Sequence, residues 1–162
     1  MFTNLNATRK GLITGLVMMA IALVIYYSKL PFDSAYQYLI YIVYAAGIVW
    51  AQHGFSKQDN HEGKFGQYFS QAFKCFIVVT LLMVLFTAGF NWLHPEFKET
   101  AGAAYREELL KKGNAMPAEI EANVKKMKDF YVVMLISGAI FGYLLIGAAI
   151  GLVGSLLYAR KK

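Results

Sequence analysis

Few residues in this chain could do chemistry. The metal-ligating and nucleophilic candidates are three histidines, His53, His61 and His94, and one cysteine, Cys75. His53, Asp59, His61 and Glu62 fall within one short polar stretch, and imidazoles beside carboxylates are a metal donor set. Zinc sites, however, use tight ligand spacings and usually several His or Cys. The stretch has neither, so it reads as a solvated loop. His94, next to Pro95 at the end of an apolar run, reads as a capping or interface residue. Cys75 lies inside an apolar run and reads as a small hydrophobe. A lone cysteine forms no intramolecular disulfide, so there is no disulfide framework. No nucleophile–base pair, Gly-rich phosphate loop or carboxylate dyad occurs within the apolar runs. The expectation is a non-enzyme with no catalytic residue, no cofactor and no metal.

The remaining candidates are for packing and binding. Gly11 and Gly15 form one small-xxx-small pair, and Gly138, Gly142 and Gly147, Gly151 form two more. Glycines at this spacing let helix backbones approach closely in a membrane. The two later pairs are expected to lie about 90° apart on one helix, so one could pack inside the protomer and the other against a partner. Tyr41, Tyr44 and Thr87 are candidates for a lipid or ligand groove, with ordinary packing the simpler reading.

Positioning these residues falls to long apolar segments. Of 162 residues, 57% are hydrophobic and 16% charged, and the mean hydropathy is +0.43. Soluble domains are about 25% charged, so a disordered chain or an ordinary soluble enzyme is disfavoured. A membrane helix needs about 20 mostly apolar residues. The uncharged intervals meet this four times, which predicts spans at 11–30, 36–52, 68–93 and 130–158. A soluble bundle would place a charged face on each helix; these segments are apolar all round. The fold class expected is all-α: four transmembrane helices with an amphipathic hairpin outside the membrane at 96–129. The first span is too long for a signal-peptide core and reads as an uncleaved helix. No charge falls inside the four apolar cores, which argues against an ion-coupled pump.

The net charge of +6 would suggest nucleic acid in a soluble protein, but the basic residues flank apolar runs. Topology signalling is the better reading, and no nucleic-acid partner is expected. Four spans put both termini on one side. Each side holds eight Lys/Arg, so the count ties. The terminal side holds only Asp59 and Glu62 as acids, which favours both termini in the cytoplasm. Within the hairpin, a first helix is predicted to end at Gly113-Asn114 and a second to start at Pro117. Nothing breaks the second helix before residue 159. Ile120, Val124, Met127 and Tyr131 form its stripe, and Glu107–Lys111, Glu108–Lys112 and Glu121–Lys125 stand at i,i+4. Aromatics such as Tyr36, Trp50, Tyr68, Trp92 and Tyr158 fall where spans meet water.

Several segments together resemble a known group. They are Arg9-Lys10-Gly11-Leu12-Ile13-Thr14-Gly15-Leu16, the run from Phe65-Gly66-Gln67-Tyr68 to Ala72-Phe73-Lys74, His94-Pro95-Glu96-Phe97, Glu119-Ile120-Glu121 and the Gly-rich last span. In this order they resemble the bacterial four-helix membrane family catalogued as domain of unknown function family 4199, over nearly the whole chain. Ala115-Met116-Pro117 departs from the Ser/Thr-type helix start expected there. The resemblance implies a multi-pass inner-membrane protein of Gram-negative bacteria with no assigned activity. It also implies an association with polyprenyl-phosphate sugar metabolism. Residues and resemblance together lead to a non-enzymatic scaffold or accessory subunit whose partners are the lipid bilayer and a second copy or another membrane protein. The alternative is an oligomeric transporter of small molecules or lipids.

Overall fold

A computed structural model describes residues 5–28, 34–58, 62–113 and 116–160, with side chains in the second helix described from residue 38. The predicted turn at Pro31, the side chain of Tyr36, and Asp59, His61, Asn114 and Ala115 lie outside the described residues. The described chain forms helices α1 (Ala7–Tyr27), α2 (Ser34–Ser56), α3 (Phe65–Leu93), α4 (Glu96–Lys112) and α5 (Pro117–Arg160). Among the described residues there is no strand. Four helices, all but α4, are long and apolar enough to cross a membrane.

The ends follow local chemistry. Asn6 caps α1, its side-chain oxygen accepting from Arg9 N at 2.9 Å, so the helix starts four residues before the predicted span. Glu96 and Glu99 occupy the first turn of α4, and Lys111 and Lys112 the last, each sign at the favourable end of the helix dipole. Gly113 closes α4 at φ 66°, a left-handed conformation that glycine adopts without steric cost. Pro117 opens α5, and Glu119 accepts from Met116 N at 3.2 Å, satisfying an amide that the helix leaves free. α5 then runs 44 residues without a break, about 66 Å at 1.5 Å per residue.

The chain divides into two compact units. The first comprises residues 1–84 and 139–162 and holds α1, α2, the first two-thirds of α3 and the second half of α5. Its core is built from Met18, Tyr44, Ile48, Ala72, Cys75 and Val79, all buried. Cys75 Sγ donates to the Gly47 carbonyl across 3.6 Å. Outside this core Leu16, Val24, Ile42, Leu81, Phe141 and Leu145 stand exposed, an apolar exterior suited to hydrocarbon rather than water.

The second unit, residues 85–138, contains the end of α3, α4 and the start of α5. Of the predicted stripe, Ile120 and Val124 are buried, while Met127 and Tyr131 are half-buried. Lys112 pairs with Glu108 at 2.6 Å, as the i,i+4 spacing suggests. Glu121 instead reaches across the hairpin to Arg106, and Lys128 Nζ meets Glu99 at 2.5 Å. The hydrogen bond from Lys128, reinforced by its charge, holds the Glu99 carboxyl below its ordinary pKa of 4.5. A carboxyl depressed on folding contributes stability that is present above its unfolded pKa and lost as pH falls through its folded one. Protection across 99–128, with hydrogen exchange normalised to the intrinsic rate at each pH, should therefore fall as pH drops below about 4.5, the ordinary value. Glu99→Gln should exchange faster at neutral pH and show less of this acid response. An identical acid response in the variant would assign the effect to other carboxyls.

Candidate functional site

Polar side chains converge where α1 begins, α2 and α5 finish, and α3 starts. Lys10, on the first turn of α1, is 1% exposed. Its Nζ donates to the Trp50 carbonyl at 3.2 Å and stands 5.3 Å from the centre of the Trp50 ring, a cation–π arrangement. Gly54 makes the room, since a Cβ there would collide with the ammonium. The sequence reading treats Lys10 as a flanking charge outside the apolar core; the structure places it inside the α1–α2 contact. The reason is the capped start at Asn6. It makes residues 7–10 helical, so the long lysine stem lies along a packed face instead of trailing from a loose end.

Gln52, one turn above the end of α2, is fully buried. Its Nε2 donates to the Gly151 carbonyl and to Ser155 Oγ, both at 2.9 Å. Ser155 Oγ in turn donates to the Gly151 carbonyl at 2.6 Å. Gln52 Oε1 has no hydrogen-bond partner among the described residues and lies against Gly154, where a Cβ would overlap it. Nearer the end, Tyr158 Oη and His53 Nδ1 are 3.2 Å apart. Tyr158 stacks on Tyr68 with ring centres 5.4 Å apart, and Phe55 meets Tyr68 edge-on, also at 5.4 Å. The layer draws on all four membrane-length helices.

Of the predicted groove, Tyr44 is fully buried. Its hydroxyl donates to the Tyr143 carbonyl at 2.8 Å, and its ring meets Tyr143 edge-on at 5.5 Å. Tyr41 is 40% exposed, with its ring 6.4 Å from Tyr143. Thr87 belongs to the second unit, where its carbonyl accepts from Asn91 Nδ2 at 2.8 Å. His94 pairs with Glu96 at 2.7 Å, also in the second unit. Among the described residues no three His, Cys, Asp or Glu stand close enough to hold a metal ion.

The glycine pairs separate into two kinds. A Cβ at Gly11 would sit 2.6 Å from the Cys75 carbonyl oxygen, and one at Gly15 would sit 3.3 Å from Leu82 Cβ. At Gly147 it would come within 2.8 Å of the Phe76 side chain, and at Gly151 within 3.0 Å of Ala72 Cβ. At Gly138 and Gly142 it would meet nothing within 4 Å. The pair centres are nine residues apart, two and a half turns. The two seams therefore lie half a turn apart, not a quarter, and a helix packed through one presents the other outward.

Chemically, the layer ties helices together. Lys10, Tyr44 and Gln52 each donate to a backbone carbonyl of another helix, and Thr14 and Thr80 donate to carbonyls four residues back, both at 2.8 Å. Polar groups in a bilayer interior are costly unless satisfied in this way. Lys10 and Gln52 escaped the sequence reading because both look like span boundaries. The available signal was the small residues opposite them, Gly54 and Gly154.

Membrane-length apolar helices, an apolar exterior and an interior polar layer define an all-helical membrane-type protein. A family model described as a protein of unknown function (DUF4199) matches residues 9–160, and the chain belongs to that family. No curated protein and no solved structure matches it significantly.

Proposed function

We propose that this protein is a non-enzymatic scaffold or accessory subunit of the bacterial inner membrane. Both termini lie in the cytoplasm, and the 96–129 hairpin lies on the opposite face. The reading is carried by how the first unit uses its buried polar groups. Lys10, Tyr44 and Gln52 each donate to a backbone carbonyl of another helix, which favours one helix register and a rigid platform. A rigid membrane platform has value to a partner, either a second copy or another membrane protein. Extraction in mild detergent, followed by cross-linking and native mass spectrometry, should recover a stoichiometric complex. Recovery of monomer alone would overturn the proposal. The orientation is tested in a Cys75→Ala background with Lys57→Cys or Lys111→Cys. An impermeant thiol reagent applied to spheroplasts should label position 111 and spare 57; the reverse pattern would invert the topology.

One observation favours a second reading, an oligomeric carrier of small molecules or lipids. Gln52 Oε1 is buried and lacks a donor among the described residues, so a ligand hydroxyl or amide could supply one. Substrate flux in proteoliposomes that is lost in Gln52→Leu would establish this reading over the first.

A further inference from the structure

We propose that the basic end of the first unit binds the phosphate headgroups of anionic phospholipids. Contacts within the unit bring this end together. Lys10 joins the start of α1 to Trp50 and Gly54 near the end of α2, and Gly11 abuts the Cys75 carbonyl of α3. Tyr158, near the end of α5, meets His53 and Tyr68.

The charge carried by the helices of this unit is one-sided. Residues 7–27, 38–56, 65–84 and 139–160 contain Arg9, Lys10, Lys74 and Arg160 and no aspartate or glutamate. All four cations belong to the gathered end. Nearby Glu62 is already engaged by Lys64 at 2.5 Å. The Lys10 ammonium has three donors and rests on one carbonyl and one aromatic ring. No carboxylate in these helices can neutralise it. A buried cation with no carboxylate in these helices adds to the positive potential of this end.

The surroundings of the exposed cations select an amphiphile over a free anion. Arg9, Lys74 and Arg160 are exposed, and each borders exposed apolar surface: Leu12 near Arg9, Phe73 beside Lys74, Leu156 and Leu157 before Arg160. A ligand seated on both needs acyl chains along these side chains and a negative group at the cations. An anionic phospholipid has that form, and clusters of Lys and Arg at a membrane boundary attract such lipids.

The test uses the full chain reconstituted in phosphatidylcholine vesicles, with or without phosphatidylglycerol, then released into detergent for native mass spectrometry. The expected result is retained phosphatidylglycerol with little phosphatidylcholine. Retention should fall about fivefold for each cation removed in the series Arg9→Gln, Lys74→Gln and Arg160→Gln. These three side chains are exposed, so the variants keep the core. A hairpin variant, Lys111→Gln with Lys112→Gln and Lys125→Gln, should retain lipid as the unmodified chain does. Equal retention of both lipids, or undiminished retention in the triple variant, would overturn the proposal. So would equal loss in the hairpin variant, which would make net charge the cause, or displacement of the lipid by inorganic phosphate, which would make the site one for a soluble anion.

Discussion

Tyr44→Ala should be among the most damaging single substitutions in the first unit, costing about 3–5 kcal/mol. Tyr44 is fully buried, so truncation leaves a ring-sized cavity among Tyr143, Gly147 and Phe76. The hydroxyl adds less. Its bond to the Tyr143 carbonyl measures 2.8 Å, but that carbonyl keeps its own place in the α5 ladder. Tyr44→Phe should therefore lose only about 1 kcal/mol. Thermal unfolding in mild detergent separates the two. Equal losses for Ala and Phe would mean that the hydroxyl, and not the packed ring, holds α2 to α5.

Gly11→Leu should be comparably harmful, at or above the upper end of the about 1–3 kcal/mol typical of overpacking. The obstacle at Gly11 is the Cys75 carbonyl oxygen, 2.6 Å from where a Cβ would stand. Backbone cannot rotate aside as a side chain can, so α1 must move away from α3. Gly142→Leu is the matched comparison, since a Cβ there meets nothing within 4 Å. Its unfolding temperature should match that of the unmodified chain. A shift to lower temperature for Gly142→Leu, as large as that for Gly11→Leu, would reveal a neighbour outside the protomer on that face.

The architecture was readable because apolar runs of membrane length leave few alternatives and because breakers bound them. Gly113 and Pro117 marked the hairpin turn, and the absence of a breaker after Pro117 anticipated one continuous α5. Pair geometry was not readable. The spacing offered Glu121 to Lys125 on its own helix, whereas the folded hairpin turns it across to Arg106. Helix phase was equally hidden. Both glycine pairs of α5 have the same local pattern, and only tertiary packing decides that Gly147 and Gly151 face inward. Lys10 is the sharpest case. A cation at the end of an apolar run resembles a topology signal, and its burial depends on a cap four residues upstream and on glycine 44 residues downstream, at Gly54.

The thiol of Cys75 is protected by packing alone. It is the chain's one cysteine, closed off from solvent and turned towards the Gly47 carbonyl. Oxidation of a thiol requires an accessible thiolate, and this one is presented to no oxidant while the helices stay packed. While the helices stay packed the thiol therefore keeps its reduced form, and a disulfide to another chain through Cys75 requires the core to open first.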